Sequence, residues 1–110
     1  SFKVMQIDAT RVAGPQEIVL EYLLANKFGV RVCPHAGGVG LCEAVRHFAM
    51  SDYLAVSGQW DDRVIEYVDN QHEYFVHPTE IVNGRYKAPT APGSGVDMKL
   101  EAAERCLYKG

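Results

Sequence analysis

Asp8, His35 and Glu66 are the residues whose types and placement could do acid–base chemistry in this chain. Asp8 ends the β-leaning run "FKVMQID", His35 follows directly on "VRVCP", and Glu66 lies inside "VIEYV". A carboxylate beside an imidazole fixes the ring's tautomer and raises its basicity, as a general acid/base near neutral pH requires. If the first two runs are successive strands, Asp8 and His35 become neighbours at one end of a sheet. Glu66 could then offer a hydrogen bond or a charge to a substrate oxygen. A plainer reading stays open beside this one. Strand ends are often polar because they meet water, with Asp8 a turn carboxylate and Glu66 the exposed position of an alternating strand.

The glycines after His35 narrow the chemistry. "GGVG" is neither GxGxxG nor a phosphate loop with its Lys-Ser/Thr. Close approach of backbone to a ligand, or a turn needing positive φ, explains them better. Cys33, His35, Cys42 and His47 match no zinc spacing. His47, His72 and His77 read as surface or helix-packing residues. Trp60 and the six tyrosines read as core and interface rather than as a stacking platform.

The elements that must hold these residues follow from periodicity. "FKVMQID" (2–8) reads as a strand. Gly14 and Pro15 read as a helix start, and Ile18, Val19, Tyr22, Leu23 and Phe28 recur at helical spacing up to Gly29, a natural helix-ending residue. "VRVCP" is the next strand. A second helix is expected over about 41–50, with Leu41, Ala44, Val45, Phe48 and Ala49 as its stripe. "YLAVSG" (53–58) and "VIEYV" (64–68) read as two further strands. Strands alternating with helices point to parallel βαβ units. Beyond residue 68 the chain becomes Pro- and Gly-rich with short β-like pieces, an extended tail with a last helix expected near 100–107. The organisation expected is therefore 1–68 as strands and helices and 69–110 as a wrapping tail.

Bulk properties remove several function classes. A net charge of -3 and a pI near 5.7, with eleven scattered basic residues, provide no nucleic-acid surface. No apolar run approaches the roughly 20 residues needed to span a bilayer. Three irregularly spaced cysteines fit reduced thiols, and hence the cytoplasm or the mitochondrial matrix. Two βα units are too little to close a barrel of about 250 residues. The first residue is Ser1 rather than Met. The expectation is the carboxyl-terminal third of a larger α/β protein, either processed or a piece of something longer.

Taken together, "QIDATRVAG", "KFGVRVCPHAGGVGLCEAVRHFAMSDY", "DRVIEYVDNQHEYF" and "GRYKAPTAPGSGVDM" resemble the end of the L-fuconate dehydratases. These belong to the mandelate racemase branch of the enolase superfamily. The resemblance spans essentially the whole chain and is most specific in "PHAGGVGLCE". It implies the last strands of a (β/α)7β TIM-like barrel plus the segment that returns to an α+β capping domain. It implies Asp8 and His35 as the catalytic dyad and Glu66 as a substrate contact. It also implies Mg2+, held by carboxylates on barrel strands this chain lacks, and a Mg2+-stabilised enediolate formed by α-proton abstraction from an acid sugar. The family's Lys-x-Lys strand end is absent here. The partners implied are a small acid sugar, the missing barrel and capping segments, and a homo-oligomer of the full-length enzyme, with neither nucleic acid nor membrane. The alternatives are a non-catalytic truncated module and a dehydratase for a different acid sugar.

Overall fold

In the computed structural model residues 3–109 are described, so Phe2 at the head of the first expected strand lies outside them. The first unit is β1 (Val4–Ile7), α1 (Pro15–Lys27) and β2 (Arg31–Pro34). The strands pair in parallel, from Val4 opposite Arg31 to Ile7 opposite Pro34. This is the geometry that a helical crossover makes available. Side chains alternate along such strands. Ile7 and Val32 therefore turn toward the helices and join a core with Ile18, Tyr22 and Ala25, while Gln6, Asp8, Cys33 and His35 fall on the other face.

α1 forms where expected, with Pro15 in its first turn, where a missing N–H costs nothing. It ends in a complete left-handed cap. Gly29 has φ 67, Val30 N donates to Ala25 O at 2.8 Å, and Gly29 N donates to Asn26 O at 3.2 Å. Ile18, Tyr22 and Ala25 form its buried stripe. Val19, Leu20, Leu23, Leu24 and Phe28 are exposed, Phe28 to 73%. Three of the five apolar residues assigned to this helix's packing face, Val19, Leu23 and Phe28, are therefore exposed.

α2 (Leu41–Ser51) also forms as expected, but a different face is buried. Glu43 and Arg46 are buried with Leu41, Cys42 and Val45, whereas Ala44, Phe48 and Ala49 are only partly so. The tail packs on the polar side of the helix, which no periodicity argument could anticipate. "YLAVSG" is not a strand. α2 runs on into a π-helical turn, Asp52–Val56, closed by Ser57 N donating to Asp52 O at 2.8 Å. A short apolar run does not distinguish strand from helix. Here the buried Asp52, with Arg63 3.6 Å away, anchors the helical choice. "VIEYV" forms no regular strand either. It lies beside β2 with Glu66 N donating to Pro34 O at 3.1 Å.

The tail is folded back on itself rather than merely draped. A 3-10 turn (His72–Tyr74) leads into an antiparallel bridge between Phe75 and Met98. β3 (Ile81–Val82) and β4 (Arg85–Tyr86) form a hairpin, and α3 (Leu100–Arg105) is shorter than expected. Ala36, Leu41, Cys42 and Val45, with Ile65 and Tyr86 against them, make a second core that ties the tail to α2. The radius of gyration is 15.1 Å, against about 13 Å for a compact chain of this length. No described helix is long and apolar enough to cross a membrane.

Candidate active site

The uncovered face of the sheet is where the three polar residues meet. His35 follows β2 directly, held in register by its N–H donating to Ile7 O at 2.8 Å. Asp8 follows β1 on the same face. Glu66 comes from the segment beside β2, and its neighbours Ile65 and Tyr67 point the other way, into a cavity of about 590 Å³ behind the sheet. That cavity is lined by Val32, Pro34, Trp60 and Tyr86 among others, and none of the three lines it. Successive side chains of this extended segment thus face opposite sides.

Glu66 Oε2 lies 2.5 Å from His35 Nδ1, and Asp8 Oδ2 lies 3.8 Å from His35 Nε2. The imidazole is thus flanked by two carboxylates, of which only Glu66 is within hydrogen-bond reach. Because a carboxylate only accepts, Nδ1 is the donor in that contact. Nε2 makes no hydrogen bond among the described residues and faces the open side. His35 retains 35% side-chain exposure, so a molecule on that face reaches it. The sequence reading put Asp8 and His35 side by side with Glu66 aside. The structure brings all three together and gives the short contact to Glu66.

Asp8 is held by its own loop. Thr10 donates to Oδ1 through its N–H at 2.9 Å and its hydroxyl at 2.7 Å, and Arg11 Nε lies 3.7 Å from Oδ2. Burial pushes the Asp8 carboxyl up, but the Thr10 hydrogen bonds and the nearby His35 and Arg11 hold it below the usual carboxylate range. It is therefore an anion throughout the neutral range. Cys33, on the same face, is held above the ordinary thiol value by burial first and by the Glu66 carboxylate second. It stays a thiol and offers no nucleophile.

Gly37 is required by close approach. A Cβ there would sit 2.8 Å from His35 Cε1 and 3.0 Å from Nε2, so any side chain would push the imidazole aside. The remaining candidates go elsewhere. Cys42 Sγ faces Ala36 O and Val68 O, and His47 Nε2 bonds Ser94 O at 2.7 Å. The four residues weighed as a metal set are dispersed. Among the described residues no group of three His, Cys, Asp or Glu side chains could hold a metal ion. The described residues therefore supply no ligand set for the Mg2+ that the resemblance implies.

Sequence reasoning missed the residues packed behind this site. Glu43, 1% exposed, accepts from Thr79 N at 3.0 Å and from His72 Nδ1 at 2.8 Å. His72 Nε2 meets Val68 O at 2.9 Å. With an acceptor at each nitrogen, His72 fits best as an imidazolium. Tyr86 Oη donates to the backbone oxygen of Glu66 at 2.5 Å. The legible signal for Tyr86 is "NG": Asn83 and Gly84, at φ 53 and 72, make the two-residue turn of the β3–β4 hairpin. Glu43 and His72 carry no such signal, because their partners are distant in sequence.

The fold has known counterparts. The enolase C-terminal domain-like family matches residues 1–103. Mitochondrial enolase superfamily member 1 from Xenopus laevis is 46% identical over 93% of this chain, and the human protein of that name is 43% identical over 98%. L-galactonate dehydratase from Hypocrea jecorina is 44% identical over 97% of the chain. The crystal structure of the human mitochondrial enolase superfamily member 1 superposes with a TM-score of 0.90 at 43% identity, covering 96% of this chain and 24% of that one. The chain spans about a quarter of the length of these curated relatives, 23% to 24%. With a family match over nearly its whole length and a close superposition on a solved structure, this chain belongs to the enolase C-terminal domain-like family.

Proposed function

We propose that these residues are the carboxyl-terminal part of a sugar-acid dehydratase, a carbon–oxygen lyase of the enolase superfamily, with L-fuconate as substrate. The observation that carries the reading is His35 on an open sheet face, with Nδ1 on Glu66 and Nε2 free beside Asp8. In this reading Nε2 takes the proton α to the substrate carboxylate, and the electron pair moves into an enediolate. The bond from C3 to its hydroxyl then breaks. His35 returns the proton to the departing hydroxyl and water leaves, giving the C2–C3 enol, which loses its O–H proton and gains one at C3 to become 2-keto-3-deoxy-L-fuconate. An imidazole suits both transfers, since it accepts a proton in one and donates it in the other. Asp8 keeps negative charge beside the imidazole and Glu66 holds its orientation while facing the substrate. Stabilising the enediolate demands more charge than these residues supply, and Mg2+ bound by residues outside this chain is the ion the resemblance implies.

The exposed apolar row on α1 and the uncovered sheet face support the expectation that 1–68 are the last strands and helices of a (β/α)7β barrel. Exposed apolar rows of this extent mark a docking surface. The tail, 69–110, then packs back toward a capping domain, and the full-length enzyme is a homo-oligomer of the cytoplasm or the mitochondrial matrix. A relative of similar identity, 44%, is named L-galactonate dehydratase, which makes that acid sugar the second substrate to try.

The experiment is a screen of acid sugars with Mg2+ on the longest natural form of this chain. Release of a 2-keto acid from L-fuconate supports the reading, and turnover of L-galactonate alone reassigns the substrate. A functional species of only 12.2 kDa with no dehydratase activity would favour the non-catalytic module instead.

A further inference from the structure

At the strand end the backbone ladder is broken in an ordered way. Glu66 N donates to Pro34 O at 3.1 Å. In a parallel pair with that bond, the next bond should run from Ala36 N to the backbone oxygen of Glu66. Ala36 N instead donates to the side-chain Oε2 of Glu66 at 2.7 Å. The backbone oxygen left over is taken by Tyr86 Oη at 2.5 Å. Each group still has a partner, as buried polar groups must, but the partners have been exchanged.

Tyr86 is well placed to impose this exchange. Its ring packs edge-on against Tyr67, with centroids 6.0 Å apart, and Tyr67 stacks flat on His72 at 5.4 Å. His72 is itself tied to the buried Glu43. Burial, together with the neighbouring Cys42, holds the phenol well above its ordinary range. It therefore keeps its proton and can only donate to a backbone oxygen.

We propose that Tyr86 is a positioning residue. Its hydroxyl occupies the Glu66 backbone oxygen, which leaves the Ala36 N–H to the Glu66 carboxylate and so holds that carboxylate against Nδ1 of His35. The effect on turnover rests on the dehydratase reading; the hydrogen-bond exchange does not.

The test is Tyr86→Phe in the longest natural form of the chain, which keeps the ring and removes only the hydroxyl. The first readout is the tautomer of neutral His35, from 15N spectra of histidine-labelled protein, with Glu66→Gln showing how the signal responds when the carboxylate is lost. The unsubstituted protein should hold its proton on Nδ1, and Tyr86→Phe should shift it toward a mixture. The second readout is kinetic: kcat falls between about ten- and a hundredfold with KM within about twofold of the unsubstituted value. The thermal midpoint drops by only a few degrees, as for one hydrogen bond.

An unchanged tautomer in Tyr86→Phe overturns the proposal, even if kcat falls. If the variant does not fold, a crystal structure of the unsubstituted protein decides. Ala36 N–H bonded to the Glu66 backbone oxygen overturns the proposal, and the same N–H on the carboxylate supports it. If the unsubstituted protein turns over no acid sugar, the dehydratase reading falls while the tautomer readout still decides the role of Tyr86.

Discussion

His35 Nδ1 and Glu66 Oε2 are 2.5 Å apart, although 31 positions separate them and neither lies within a regular strand. This contact orients the ring so that Nε2 is the nitrogen available for proton transfer. His35→Asn should therefore abolish dehydration, with a loss of at least about 10²- to 10⁴-fold, while circular dichroism and the thermal midpoint stay close to the parent. Retained turnover of L-fuconate in that variant would exclude His35 as the base.

Asp8 stands farther from the ring, at 3.8 Å, and is tied to Thr10. Asp8→Asn should reduce kcat by less than His35→Asn does. A loss equal to that of His35→Asn, measured under the same conditions, would show Asp8 to act in the proton transfer itself.

Gly37→Ala probes the space around the ring. The added Cβ would meet His35 Cε1 at 2.8 Å, and the imidazole has open solvent into which to move. Turnover should fall by about tenfold or more with little change in thermal midpoint. If activity is unaffected, the ring position described here is not the working one.

The Glu43–His72 pair makes stability depend on pH. Burial pushes the Glu43 carboxyl up, yet the Thr79 N–H and His72 hold it below its ordinary 4.5, so its contribution is present above pH 4.5 and lost as pH falls through the lowered value. Burial pushes His72 down, yet Glu43 and the Val68 oxygen hold it above 6.5, so its contribution is complete below pH 6.5 and lost as pH rises through the raised value. The pair stabilises most between those two figures. The difference in thermal midpoint between parent and His72→Gln should be largest in that window and shrink toward alkaline pH; a difference that does not vary with pH would count against a charged pair. Glu43→Ala, which leaves His72⁺ without its carboxylate, should cost about 3–5 kcal/mol in denaturant unfolding.

Ile18 supplies the packing counterpart. It is 1% exposed at the centre of the β1–α1–β2 core, and Ile18→Ala should cost about 2–5 kcal/mol. The same substitution at Leu23, 49% exposed, should cost much less in this chain alone. It should cost considerably more in the full-length protein if the α1 row is covered there. Equal losses at Leu23 in both settings would argue against a covering neighbour.

Local chemistry alone was enough for the first unit. Pro15 and Gly29 bracket α1 because one lacks an N–H and the other tolerates positive φ, and strand alternation puts Asp8 and His35 on one face. Both are properties of a few neighbouring residues. The run 53–58 reads as a strand but folds as a helical turn continuing α2, because four apolar residues satisfy a strand and a helix equally. The run 64–68 was misread because its ladder is completed by a side chain and by Tyr86 rather than by backbone. Which carboxylate touches His35, why Glu43 is buried and what Tyr86 holds were decided only by the tertiary structure. Each depends on groups 20 to 36 positions apart, and contacts at that range are set by how elements pack, not by the residues beside them.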